Sequence, residues 1–159
     1  MSMDRLPIKS RAEVVDRLKA TGVVGAGGAG FPTHVKLGAD CRTVIVNGAE
    51  CEPLLESDKY ILAHEADTIV AALEMVVGVC GAARGVIAVK GRYRHVVERL
   101  KDAARGHDKI EIFELENYYP AGDEHSLVRE ITGVSVPPLG IPLNVGCIVQ
   151  NVETMRNIH

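Results

Sequence analysis

Residues 22–38, GVVGAGGAGFPTHVKLG, place glycine at positions 22, 25, 27, 28, 30 and 38. Glycine carries the largest backbone entropy cost in regular structure, so this density predicts a loop that lasts until after Pro32, where Thr33 can open a helical turn. Gly25-Ala26-Gly27-Gly28-Ala29-Gly30 satisfies the letters of the dinucleotide fingerprint G-x-G-x-x-G. Three readings of such a loop stand side by side. The glycines can serve a Rossmann dinucleotide site, can let two elements pack closely, or can admit a phosphate or flavin to the backbone. Val23-Val24 is too short for the strand that a Rossmann site needs before its loop, and a helix precedes it. Lys36, just downstream, is a cation able to meet a phosphate.

The rest of the chain alternates two patterns. Ser10-Arg11-Ala12-Glu13 is a capping box followed by Val14, Val15 and Leu18 at helical spacing, with Gly22 as the stop. Four apolar runs read as buried parallel strands: 43–47, 85–90, 109–115 and 147–150. Between them, residues 57–81 carry a helical face of Ile69, Leu73, Val76 and Cys80, closed by Gly81. Val96, Val97, Leu100 and Ala104 mark a second helix, and Leu127, Val128 and Ile131 a third that ends at Gly133. Residues 135–146, SVPPLGIPLNVG, form the one long irregular connection, expected at the surface. Asn151 is an N-cap for a last helix that the chain leaves one or two turns later at His159, as in a piece cut from a longer protein. This order predicts a single α/β domain over 1–159, Rossmann-like and three-layered, with a mainly parallel sheet.

Charge and composition exclude several functions. Eighteen Lys and Arg against 21 Asp and Glu give a formal charge of −3 with mixed signs, not the basic footprint of a nucleic-acid binder. With no Trp, 4 Tyr and 2 Phe, there is little material for a base-stacking platform. Cys41, Cys51, Cys80 and Cys147 are separated by 10, 29 and 67 positions, so their spacing suits neither a structural zinc site nor an iron–sulfur cluster. The N-terminus lacks a signal-type apolar stretch, and Ile69 to Cys80, the longest apolar run, is broken by Glu74 and too short to span a membrane. A cytoplasmic location with reduced thiols is expected.

Three further segments carry candidate chemistry. In VNGAECEP, Asn47, Glu50 and Glu52 follow a strand directly, where an open α/β sheet binds its ligands. An asparagine offers the donor and acceptor that read an imide edge, while an Asn-Gly turn with solvated carboxylates is the plainer reading. Cys51 is a reactive thiol or, with no basic partner nearby in sequence, a small semi-buried side chain. In YYPAGDEH, Asp123-Glu124 is an acid–base pair or a helix start with dipole-compensating carboxylates, and His125 reads as a structural histidine. Gln150-Asn151-Val152-Glu153-Thr154 sets donors at a helix start.

Taken together, GAGGAGFPTHVKL, VNGAECEP, YYPAGDEHSL and VQNVET resemble the flavin-binding domain shared by three proteins. These are the C subunit of the Rnf electron-transport complex, the cobalamin reductase of propanediol utilisation and the NADH-oxidising flavoprotein subunit of respiratory complex I. The resemblance runs from about Gly22 to Asn157. It implies non-covalent FMN that accepts hydride from NADH and passes single electrons to iron–sulfur clusters carried in a region downstream of this chain.

By the same resemblance, Gly25, Gly27, Gly28 and Lys36 line the FMN, and Asn47, Glu50 and Cys51 lie along its ring or ribityl side. Gly122 and Glu124 close over it, Tyr119 stands near the isoalloxazine, and Asn151 and Thr154 serve the phosphate end. Phe31 and Glu52 face the nicotinamide nucleotide. Ala49 and Cys51 replace the aspartate and serine of complex I, so the wording is that of the Rnf and cobalamin-reductase branches. The expected partners are NAD(P)H and an iron–sulfur acceptor domain or subunit, with peripheral attachment to the cytoplasmic face of a membrane complex. A scaffold module that keeps the fold without flavin is the alternative from another class.

Overall fold

The computed structural model describes residues 10–50 and 55–159. Four strands form its sheet: β1 (Thr43–Gly48), β2 (Arg84–Lys90), β3 (Ile110–Leu115) and β4 (Cys147–Asn151). Their order is β3-β2-β1-β4 and every pairing is parallel, with Val46 opposite both Ile87 and Gln150. The apolar runs explain this arrangement, because a strand covered on both faces gains nothing from polar alternation.

Successive side chains point to opposite faces, and each face has its own core. Val44, Val46, Ile87, Val89 and Ile148 pack beneath α1 (Arg11–Thr21), α2 (Thr33–Leu37), α3 (Ser57–His64), α4 (Ala66–Val79), α5 (Arg94–Ala103) and α7 (Val152–Ile158). Ile45, Ala88, Cys147 and Val149 face the other way, toward Leu127 and Val128 of α6 (Glu124–Thr132) and toward Val136. The result is the expected three-layer α/β domain, with a sheet that is wholly rather than mainly parallel.

The strand order fixes where a ligand can sit. From β1 to β2 to β3 the chain steps one way across the sheet with its helices on one face. It then returns past both strands to β4 by way of α6 on the other face, as right-handed crossovers require when the direction reverses. The β1-to-β2 and β3-to-β4 connections therefore lie on opposite faces, while α7, which leaves β4, returns to the face of α3 and α4. Beyond the carboxyl ends of the adjacent strands β1 and β4 lies the edge at which open α/β sheets bind ligands.

Local chemistry sets the ends of elements. Ser10 accepts from Glu13 N to start α1, and Gly22 ends it at φ +69. The stretch 57–81, expected to be continuously helical, breaks at Glu65 into α3 and α4. Glu65 sits at φ −120 and ψ 27, outside helical geometry, and Tyr60 stacks on His64 in the last turn of α3. The proline-rich segment contains a 3-10 turn at Pro142–Val145, so it is less irregular than expected. His125 is exposed on α6 and is not a packed structural histidine.

Cys41, Cys80 and Cys147 are buried free thiols at the amino-terminal end of the sheet. Cys41 and Cys80 hydrogen-bond to each other, and that bond raises the Cys41 thiol and lowers that of Cys80.

Candidate cofactor site

The glycine loop lies over the carboxyl end of β4 and the start of α7. Its entry and exit are pinned to each other: Gly25 N donates to Phe31 O at 2.8 Å, and Thr33 N to Val23 O at 3.2 Å. Only an isolated bridge, Val24 to Pro32, joins these arms, so the first strand of a Rossmann unit is replaced by a pinched loop. Gly28 and Gly30 adopt φ +102 and +60, conformations open mainly to glycine, and nothing lies within 4 Å of where a Cβ would stand on either. The backbone there is open to an approaching group.

Two residues of the last motif support the loop from beneath. Thr154 is fully buried, and its hydroxyl accepts from Ala26 N at 2.8 Å. Asn151 caps α7 by accepting from Glu153 N at 2.8 Å, and its Cβ lies 3.5 Å from the Cβ position on Gly27. The other motifs join through side chains. Asn47 Nδ2 donates to Gly122 O at 2.8 Å, while its Oδ1 accepts from Ala49 N at 3.2 Å. Lys36 donates to Val149 O at 2.8 Å, stands 3.8 Å from a Glu124 carboxylate oxygen and lies 5.5 Å from the Phe31 ring centre.

Four segments far apart in sequence thus meet beyond the carboxyl ends of β1 and β4. Gly25, Gly27, Gly28, Phe31 and Lys36 come from the loop and α2, Asn47 ends β1 and Glu50 follows it, Gly122 and Glu124 precede and open α6, and Asn151 and Thr154 open α7. Tyr119, expected near the isoalloxazine, is 80% exposed. Cys51 and Glu52 lie outside the described residues. Asp123 is the N-cap of α6, accepting from Ser126 N at 2.9 Å, and Glu124 pairs with Lys36. Both carboxylates are therefore engaged in the helix-start arrangement and do not form an acid–base pair with each other.

Glu50 holds a left-handed backbone, φ +42, that a side-chain-bearing residue adopts only under constraint. Three contacts supply it. Its carboxylate accepts from Asp58 N at 2.7 Å and Lys59 N at 3.3 Å, capping α3, and its carbonyl accepts from Lys90 Nζ at 3.3 Å. Lys90 is 6% exposed at the carboxyl end of β2.

Asp58 accepts from Asn151 Nδ2 with both oxygens, at 3.2 and 3.0 Å. Burial, then the neighbouring Glu50 carboxylate, pushes its carboxyl up to about 6. Sequence reasoning missed Asp58 and Lys90. A lysine closing an otherwise apolar buried strand was the available signal for the second, and Asp58 had none, its partner being 93 positions away.

A parallel sheet with helices on both faces and a glycine loop seated at its carboxyl edge defines an α/β domain of the cofactor-binding class. The profile of the Nuo51 FMN-binding domain matches residues 18–159, and the chain belongs to that family. It is 42% identical over 143 residues to cobalamin reductase PduS of Citrobacter freundii, covering 90% of this chain and 31% of the relative. It is 38% identical to the C subunit of the Na(+)-translocating ferredoxin:NAD(+) oxidoreductase complex of Acetobacterium woodii, covering 86% of this chain and 32% of that one. The chain therefore spans about a third of the length of these curated relatives.

Among solved structures, a chain of an air-oxidized NAD+-reducing [NiFe]-hydrogenase shares the fold with a TM-score of 0.83 at 24% identity, over 94% of this chain and 30% of that one. No helix among the described residues is long and apolar enough to cross a membrane.

Proposed function

We propose that this domain holds FMN non-covalently at the carboxyl ends of β1 and β4, takes hydride onto it from NAD(P)H and passes single electrons to iron–sulfur clusters outside the described domain. The observation that carries the reading is the glycine loop, open at Gly28 and Gly30 and held from below by Asn151 and Thr154. These residues fit the group: exposed backbone N–H groups and a nearby Lys36 suit a phosphate, and Asn47 with Glu50 at the end of β1 suits the polar edge of a flavin ring. Bound FMN would supply the exchange between two-electron and one-electron chemistry.

The protein's own part is binding and orientation. Lys36, held by the Val149 carbonyl and Glu124, keeps a positive charge beside the loop. Asn47 ties the end of β1 to the 118–122 turn, so the side of the site carrying Gly122, Glu124 and Tyr119 is fixed relative to the ring side. Phe31 and Glu52 are assigned to the nicotinamide side, and Cys51 to the flavin's edge. The names of the relatives, cobalamin reductase and a ferredoxin:NAD(+) oxidoreductase component, support a role in NAD-linked electron transfer beside other redox domains or subunits. Peripheral association with a membrane complex on its cytoplasmic face belongs to the same reading.

The test is anaerobic reduction. Chain loaded with FMN and freed of excess should show the visible flavin band, and NADH should bleach it. A loaded chain whose band is unchanged by NADH and by NADPH contradicts the hydride-accepting role.

A further inference from the structure

Asn151 has both ends of its side-chain amide committed. Its Oδ1 caps α7 through Glu153 N, and its Nδ2 donates to both carboxylate oxygens of Asp58. An ionised carboxylate can only accept, so Asp58 dictates which end of the Asn151 amide faces it and leaves the other for the cap. The same Asn151 lies under Gly27, 3.5 Å from the position a Cβ would take there.

The other charged groups nearby do not replace Asp58. Glu50 and Glu153, its like-charged neighbours, cannot donate to an amide oxygen or stand in for its contact with Nδ2. Lys59, next in the chain, pairs with Glu56, and Arg156 of α7 pairs with Glu65.

We infer that Asp58 is a positioning residue for the phosphate end of the flavin site, fixing through Asn151 the floor on which residues 25–28 rest. The inference depends on the FMN reading above. Nothing in the arrangement requires Asp58 to touch the flavin. It sets the orientation of a residue that supports the phosphate loop, so its removal weakens binding of the flavin's phosphate and leaves binding of the ring largely alone.

The experiment compares FMN with riboflavin, which lacks the phosphate, binding to the 159-residue chain at pH 7.5, where Asp58 is ionised. In D58N the neutral amide accepts with one oxygen and no longer enforces the Asn151 orientation. FMN affinity should then fall about tenfold, the scale of losing a hydrogen bond to a charged group, while riboflavin affinity changes less than about twofold. In an Asn151→Ala background D58N should cause no further loss, because the two act through one contact.

Equal loss of both flavins, unchanged FMN affinity, or tighter FMN binding through relief of charge repulsion would each overturn the assignment of Asp58 while leaving the flavin site in place. Wild-type chain that takes up neither flavin overturns the FMN reading and this one with it. Should D58N not fold, judged by circular dichroism, D58S, which also removes the paired carboxylate oxygens, carries the same FMN-against-riboflavin comparison with the same outcomes deciding it.

Discussion

The hydroxyl of Thr154 accepts a hydrogen bond from the backbone N–H of Ala26 at 2.8 Å, joining residues 128 positions apart. This bond ties the most mobile type of sequence in the chain, a glycine run, to a buried position on α7. A loop with this glycine content can bind a cofactor tightly only if something else removes its freedom before the ligand arrives.

Thr154→Val keeps the side-chain shape and deletes the acceptor. Ala26 is exposed, so water can satisfy its N–H, and the stability cost should stay near 1 kcal/mol. The loop should suffer more than the fold. Hydrogen exchange at Ala26 should accelerate by tenfold or more relative to β1 amides, and equal protection in the variant would show that the bond does not restrain the loop.

Gly48 closes β1, and its glycine is required by packing. A Cβ there would stand 2.6 Å from Leu62 Cδ1 and 3.0 Å from the Ala88 carbonyl oxygen, a backbone atom of the neighbouring strand that cannot swing aside. Gly48→Ala should cost about 1–3 kcal/mol in urea unfolding, the range for overpacked sites. Gly78, with nothing within 4 Å of its Cβ position, is the control: Gly78→Ala near the end of α4 should be neutral or stabilising.

Glu50 separates backbone strain from side-chain capping. Glu50→Ala loses the carboxylate that caps α3 and keeps a Cβ at φ +42, whereas Glu50→Gly loses the same carboxylate and relieves the backbone. Glycine should therefore be the more stable replacement by about 1 kcal/mol. Alanine as the more stable of the two would mean that the left-handed conformation at Glu50 is not strained.

Asp58 makes stability depend on pH. Its folded pKa of about 6 exceeds the ordinary carboxylate value, so the folded state binds the proton more tightly than the unfolded chain does. The stability contributed by this group is fully present below the unfolded pKa and is lost as pH rises through about 6. By this group alone the wild-type chain should gain stability between pH 8 and pH 5, by about 1 kcal/mol. D58N should lack that slope. Identical slopes in the two chains would place the titration elsewhere. At neutral pH the ionised Asp58 thus opposes stability while ordering Asn151, the trade-off seen when a site residue is selected for function.

The sheet was legible because its strands are continuous apolar runs, and local composition alone produces that signal. Caps at Ser10 and Asn151 were legible for the same reason, each being a contact between near neighbours in sequence. The break at Glu65 was not, since apolar spacing carries on through it with no glycine or proline to mark a turn. Within the site, the glycine loop, Asn47 and Asn151 announce themselves by type and position. Asp58 and Lys90 do not, because what gives them meaning is contact with Asn151, 93 positions on, and with Glu50, 40 positions back. The thiols of Cys41 and Cys80 likewise meet only because the parallel sheet gathers its amino-terminal ends on one side.

The central claim is that FMN binds at the glycine loop over Asn151, and a calorimetric titration of FMN into wild-type chain and Gly27→Val tests it most directly. A Cβ at Gly27 meets Asn151 at an ordinary contact distance, so the variant should fold while its added side chain crowds the floor of the loop. One FMN is expected per wild-type chain, with at least a hundredfold weaker binding by folded Gly27→Val. Equal FMN affinity in the two folded proteins, or no FMN uptake by the wild-type chain, would contradict it.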